Sequence, residues 1–445
     1  KHTGSGADVS LSSDGTALLL DGAAIGGTAL ELYSENSVTA VAASATGSNA
    51  VAIGDGALSS SSRSIAVGYL SVSSGVASTA IGPSANASGF YASAFGYNAK
   101  AVSSGFNSVV AVGNSYASGA DSFAAAIGNN TSSYGAVGNN SIAMGSLAKA
   151  TGSNAVAIGR NSTATGFDAF SFGYACQAQG QFSVAIGGNA IAANNEGATA
   201  IGFTARSSGI SAVALGDAYA SGTDSFAAAI ANNTSTYGAT GANSVAIGQN
   251  AKASGSSAFA FGTVNTASAT GSLALGGNQN TASQSYAVAM GQYATSSISG
   301  KFVFSSGRFS SNGDAQTGTF VLRSDTTDAT PEALTTNNST AGTTDQIILP
   351  NNSAYAFHGT IVARQQASTG TACAAWKVEG LIRREGSAGT TVLVNSATTI
   401  LDNTPAWGMT LSADTTNGGL AITVTGAAAT NIRFVATINT SEVTY

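Results

Sequence analysis

The chain has 445 residues, of which only 8% are charged, with a net charge of −6, 56 glycines and four prolines. Ordinary soluble domains carry about 25% charged residues and ~7% glycine, so the chain is charge-poor and glycine-rich. Disorder requires low hydrophobicity, which 43% hydrophobic content excludes. No apolar run nears the ~20 residues of a membrane-spanning helix, and so little proline rules out a collagen-like chain.

Charge is spread without a basic stripe. Residues 1–45 hold one base and five acids, 46–298 six of each, and 299–445 eight bases and ten acids. Nucleic acid is therefore not expected as a partner, nor is membrane insertion. Two widely separated cysteines, Cys176 and Cys373, suggest no internal disulfide and say nothing about redox compartment. The start at Lys1, without Met or a signal segment, reads as a fragment or processed product.

Residues 1–45 form an acidic lead-in, in which DGAAIGG at 21–27 looks like a degenerate first coil. From 46 to 298 one phrase recurs: small residue, x, Ala, bulky apolar residue, Gly. It reads AVAIG at 50–54, SIAVG at 64–68, AVAIG at 155–159 and SVAIG at 244–248, seventeen times in all. Closing positions mostly lie 14 residues apart, and three steps are of 17. So short a fixed period implies a solenoid whose coils cannot bury their apolar faces singly.

Within 152–166, Val156 and Ile158 fall on one side of a strand, and Ala155 and Ala157 on the other. Glycine closes this strand, and a second short strand (STAT, 162–165) follows. Each repeat is thus read as two strands and two turns. The bulky positions are expected to bury a narrow core, and the alanine face to pack against other copies in a homotrimer. A monomeric solenoid is the alternative. A longer duplication, 116–145 recurring as 219–248, carries the inserted turns 129–140 and 232–243. These are expected to protrude, with Tyr134 and Tyr237 near their tips as candidate contact residues.

The phrase resembles the head repeat of YadA-type trimeric autotransporter adhesins, N-S-V-A-I-G-x-x-S. Asn154 to Ser162 reads NAVAIGRNS and Asn243 to Ala251 reads NSVAIGQNA. The resemblance covers somewhat over half the chain and implies a left-handed parallel β-roll trimer. That family associates the phrase with matrix binding, but every coil needs these residues for its core and turn, so no ligand is carried over. The heptad stalk and four-strand anchor of those adhesins have no counterpart here.

From residue 299 the period gives way to about nine alternating apolar segments: 301–309, 318–324, 346–350, 355–364, 374–384, 390–396, 407–414, 420–426 and 432–445. Asn417-Gly418 supplies a hairpin turn. The spacing predicts an antiparallel β-sandwich or jelly-roll. GKFVFSSGRFSSNGDAQTGTFVLRSDTTDATPEALTT, LPNNSAYAF and the terminal RFVATINTSEVTY resemble C-terminal domains of tailed-phage fibre proteins. That resemblance implies a trimeric virion fibre outside the cell. It would be held by tail or baseplate proteins at its N-terminal end and would meet a host glycan or protein receptor.

Few residues suggest chemistry. His2 is terminal, and His358 reads as an exposed strand residue on the face of Thr360 and Arg364. Neither sits in metal-ligand spacing, although a trimer axis could gather three copies of His358 or of an Asp around an ion. The carboxylates Asp325, Asp328, Glu332, Asp345, Glu379, Glu385, Asp402 and Asp414 could furnish the pair a glycan hydrolase needs, but most fall in turns, where carboxylates cap backbone. Trp376 and Trp407, both near apolar strands, read as core residues, with sugar-stacking contact as their candidate functional role. The reading is a non-enzymatic, cofactor-free and metal-free phage tail fibre contacting its host through its C-terminal tip and shaft loops. The rivals are a bacterial surface adhesin head and a polysaccharide-depolymerising tailspike.

Overall fold

A computed structural model describes residues 41–445 except 104, 106, 233, 366–371, 404 and 405, together with three short strands before them. Those three, Leu11–Ser13, Leu18–Leu20 and Ala23–Ala24, pair antiparallel. The 21–27 segment is thus not described as a parallel coil, and its Gly26, like His2, lies outside the described residues. The chain divides into two compact units, Lys1–Glu196 and Gly197–Tyr445.

In the first unit each repeat is one coil of a parallel β-solenoid. Val156–Ile158 pairs in register with Ile142–Met144 on one side and Phe170–Tyr174 on the other. Thr163–Ala164 does the same between Lys149–Ala150 and Gln177–Ala178. Two turns close the coil, each with an N–H bonded to the carbonyl three residues back (Ala155 to Gly152, Ser162 to Gly159), and every seventh residue along it adopts the left-handed conformation: Asn154 (φ +57°), Asn161 (φ +59°) and Asp168 (φ +53°). Asn and Asp tolerate that region best after glycine, which explains the asparagines of the repeat. A different constraint fixes Gly166. A Cβ there would lie 1.9 Å from the Gly180 carbonyl oxygen of the next coil, so the backbones can stack only without a side chain.

The strand faces are reversed from expectation. Ala155, Ala157, Ser162 and Ala164 point inward and are fully buried, whereas Val156 and Ile158 point outward. The reason is steric: in a regular coil two short strands closed by tight turns leave room between them for little more than a methyl or hydroxymethyl group, and larger apolar side chains are buried beside the inserted turns, as Ile127 and Ile230 are. Inward hydroxyls pair with each other, as Ser162 Oγ with Ser171 Oγ at 2.8 Å. Cys176 fills one such inward place, and burial pushes its thiol pKa up, which makes it inert.

The second unit opens with coils of the same kind, such as Val245–Ile247 paired with Phe226–Ala228 and Phe259–Thr263. Its inward row carries Asn265 and Asn280, whose amides bond to each other and to backbone of their own and adjacent coils. Val264 occupies the left-handed turn position (φ +57°) that Asn250 holds one coil earlier. A β-branched residue is strained there by about 1–2 kcal/mol. Val264→Asn should therefore raise stability by about 1 kcal/mol in urea denaturation; an unchanged midpoint would show that the turn stores no strain.

The last coil runs into the C-terminal sandwich without a break: the expected boundary at 298/299 lies in the turn between Thr295–Ser296 and Phe302–Ser305, and one sheet continues across it. Phe302–Ser305 pairs parallel with Val288–Gln292 and antiparallel with Ala315–Thr326. The other ladder ends at Thr295–Ser296, and there the Gln316 side chain stands in for a further strand. Its Oε1 accepts from Thr295 N–H and its Nε2 donates to Thr295 O, both at 3.0 Å. Both free edges are thus covered, which removes a template for aggregation.

Beyond Phe302–Ser305 the larger sheet follows the order Ala315–Thr326, Ile432–Thr444, Ser353–Gln365, Cys373–Arg384 and Val392–Asp402, all antiparallel. A smaller sheet centres on Gly419–Thr425. It pairs with Gly408–Asp414 on one edge and with Pro331–Ala333 and Ile347–Ile348 on the other. Phe320, Ile361, Trp376 and Phe434 from the larger sheet meet Leu334, Ile347, Leu420 and Ile422 in one buried cluster. The nine expected segments are all strands; Pro331–Ala333 is an addition. Gly418 (φ +86°) closes the hairpin between Gly408–Asp414 and Gly419–Thr425. With six strands facing four, the arrangement is an unequal sandwich. The 3-10 turn Ala388–Thr390 is the one helical element among the described residues.

Candidate functional site

The most extensive unusual surface follows directly from the reversed coil. On each first strand two outward positions, two residues apart, stack coil upon coil. In the first unit they run from Val51 and Ile53 to Val184 and Ile186, and in the second from Thr199 and Ile201 to Phe302 and Phe304. Ala66 is 0% exposed, while its neighbour Ile65 is 37% and Phe172 48% exposed. Phe170 and Phe172 stack at 6.5 Å, as Phe259 and Phe261 do at 6.4 Å, so aromatic side chains lie along this face as well. A row of Ile, Val, Leu, Met and Phe repeated on consecutive coils is far from the scattered apolar residues of a monomer surface.

The inserted turns share one local design. Asn129 Oδ1 accepts from both N–H and Oγ1 of Thr131, and Asn232 does the same with Thr234. The most exposed residues are 131–133 and 234–236, while Tyr134 and Tyr237 are half-buried at the return of each loop. The tyrosines therefore sit at the base and not at the tip, because each immediately precedes a buried Gly-Ala strand, Gly135–Ala136 or Gly238–Ala239.

Trp376 and Trp407 are not surface contacts. Trp376 stacks on Phe434 at 6.4 Å, Trp407 meets the same ring edge-on at 6.2 Å, and both are buried. Their strands place these indoles between the two sheets, where the largest apolar area is gained on burial. Exposed aromatic residues lie elsewhere; among them Tyr69, Tyr97, Tyr174 and Phe203 directly follow a repeat-closing glycine, and Phe309 and Tyr445 belong to the C-terminal part. The first four were findable, since a coil-corner residue after that glycine has nowhere to point but outward.

His358 is exposed on the outer face of its strand with Thr360 and Arg364, opposite Tyr355, Phe357 and Ile361. Asp328, Asp345 and Asp414 cap the backbone N–H groups of Thr330, Gly342 and Asn417. Asp325 and Glu332 share an open cleft of about 700 Å³ with Ser324, Asn338, Ser339 and Thr340. Glu332 accepts from Ser324 Oγ at 2.6 Å, and Asp325 faces Arg433 at 3.5 Å. Among the described residues no three His, Cys, Asp or Glu side chains gather as a metal site.

Asp314 secures the loop entering Ala315–Thr326 by accepting from the backbone N–H groups of Phe309, Ser310 and Ser311. Burial would raise its pKa, but these bonds outweigh it and hold the carboxyl below the usual range. Its stabilisation is present above the unfolded-state pKa, about 4, and is lost as pH falls through the lower folded value. Melting followed down from neutral pH should thus show an acid-induced drop below about pH 4 that is smaller in Asp314→Asn; equal drops would contradict this role.

The sequence comparison agrees with this geometry. The family profile described as the YadA head domain repeat, two copies, matches 45–71, 73–102, 136–162, 164–190, 193–218, 239–264, 257–278 and 267–294. No curated protein sequence matches. Among solved structures, the chain is similar to the tailspike protein gp49 of Acinetobacter baumannii bacteriophage Fri1, a capsular polysaccharide depolymerase. Identity is 10% and the TM-score 0.21, covering 89% of this chain and 69% of that one. For the tailspike protein of Acinetobacter baumannii phage AM24 the values are 10%, 0.16, 88% and 62%. Scores this low bear on neither mechanism nor ligand. The chain is a parallel β-solenoid, with stretches that match the YadA head repeat, joined to an antiparallel sandwich.

Proposed function

We propose that this protein is a structural and adhesive fibre: a homotrimeric phage tail fibre, outside the cell on the virion, that meets the host surface through its C-terminal sandwich and solenoid loops. The observation that carries the reading is the outward apolar ladder on consecutive coils. Its exposed Ile, Val and Phe rows need a partner of matching period, and another copy of the same chain supplies that period coil for coil. The sandwich growing directly from the last coil supports a shaft ending in a compact tip. Tail or baseplate proteins would hold the N-terminal end.

Labelled intact protein should bind saturably to cells of a susceptible bacterial strain and compete with phage adsorption to them. Absence of binding across a strain panel would contradict the attachment role, and release of oligosaccharide from capsule would indicate a depolymerase instead. A second reading, the head of a bacterial surface adhesin, is favoured by the same repeat match. Immunogold labelling separates the two: the fibre reading predicts gold on virions, the adhesin reading gold on uninfected cells.

A further inference from the structure

Where the last coil meets the sandwich, a buried polar group stands apart from any attachment surface. Lys301 Nζ donates to Glu442 Oε2 at 2.7 Å, and both residues are buried. Gln316 Nε2 donates to the same oxygen at 2.8 Å, while Thr440 Oγ1 donates to Glu442 Oε1 at 2.6 Å. The rings of Phe320 and Tyr355 lie 5.0 and 5.6 Å from the Lys301 nitrogen. Room for the group is made by Gly318, where a Cβ would fall 2.4 Å from Glu442 Oε1 and 2.9 Å from Lys301 Cε. The coil itself does not call for lysine, since the equivalent places one and two coils earlier hold Ala287 and Ser272.

One carboxylate oxygen therefore gathers an amine and a carboxamide side by side in an apolar enclosure. The amide is polarised as well, because Gln316 Oε1 accepts from Thr295 N–H at 3.0 Å. We propose that Lys301 and Gln316 become joined by an intramolecular amide bond after folding, with Glu442 relaying the protons. Glu442 takes a proton from the Lys301 ammonium. The freed amine attacks Gln316 Cδ, and Thr295 N–H stabilises the charge that develops on Oε1. Glu442 returns the proton to Nε2, the Cδ–Nε2 bond breaks, and the new secondary amide loses its extra proton to the departing ammonia. Atoms and charge balance: an ammonium and a primary amide give a secondary amide and an ammonium ion, with no oxidant or cofactor. Burial favours the neutral amine that the attack needs and lowers the Lys301 pKa, against the opposing pull of Glu442. The product would tie Gln316 covalently to the last coil, with its Oε1 still accepting from Thr295 N–H.

The test is the intact mass of the folded, full-length protein, with fragmentation of its proteolytic peptides. The expected result is a mass one ammonia molecule below that of the sequence, and a branched peptide joining Lys301 to Gln316 with no tryptic cleavage after Lys301. Gln316→Met, confirmed as folded by circular dichroism, should show its full sequence mass. Wild-type protein at full sequence mass would overturn the proposal, leaving an ion pair. Loss of water with a link to Glu442 would overturn it too, by making the relay residue the acyl partner.

Discussion

Replacing Ala157 with leucine is expected to destabilise the coils around it by about 1–3 kcal/mol or more, whereas Ile158→Ser leaves the single chain's fold nearly unchanged. The asymmetry follows from which side of the strand each residue occupies. Ala157 is fully buried and lies in register between Ala143 and Ser171 on the adjacent coils. Three added carbons have no free volume to enter, and the stacked backbones cannot part without breaking hydrogen bonds in both neighbours. Ile158 points out of the coil, so its loss removes nothing from the coil interior. Urea denaturation with limited proteolysis of 140–175 measures both. Equal stability of Ala157→Leu and wild type would show that the bulky face, and not the alanine face, is the core.

Measured against the chain in which Lys301 is not yet linked to Gln316, Glu442→Ala should cost about 3–5 kcal/mol, because it leaves the buried Lys301 charge without its partner. Gln316 and Thr440 would lose an acceptor in the same step. Replacing both charges at once, as Lys301→Met with Glu442→Leu, should recover most of that loss, since a buried ion pair is often no more stabilising than apolar residues of like volume. Thermal melting of the two variants reads the difference. If the double replacement melted below the single one, the pair would be contributing net stability of its own.

Much of this fold was legible in the order of the residues, for identifiable reasons. The recurring Ala-x-Gly phrase gave the coil because parallel stacking demands like residues at like places, and Asn417-Gly418 marked its hairpin through backbone preference alone. The direction of the strand faces was misread at Val156 and Ile158. Apolarity usually argues burial, but here the width of a two-strand coil decides: Ala and Ser fill most inward places, and Asn265, Cys176 and, beside the inserted turns, Ile127 and Ile230 are among the larger residues that are buried. Trp376 and Trp407 are the opposite case, buried as their neighbouring apolar strands suggest, since their bulk suits the thicker space between two sheets. The Lys301–Glu442 pair spans 141 residues, and nothing in either local sequence announces the other. Tyr69 and Phe203, exposed directly after a closing glycine, carry a local signal as plain as that of the insertion-loop tyrosines.

If the outward ladders are the seam between copies, their burial must show as mass. Light scattering coupled to size exclusion on the intact protein should give three chain masses, and Phe172→Asp with Ile186→Asp should lower that value while leaving the strand-rich circular dichroism intact. A wild-type particle of one chain mass, with Ile65, Phe172 and their neighbours facing water, would contradict the account.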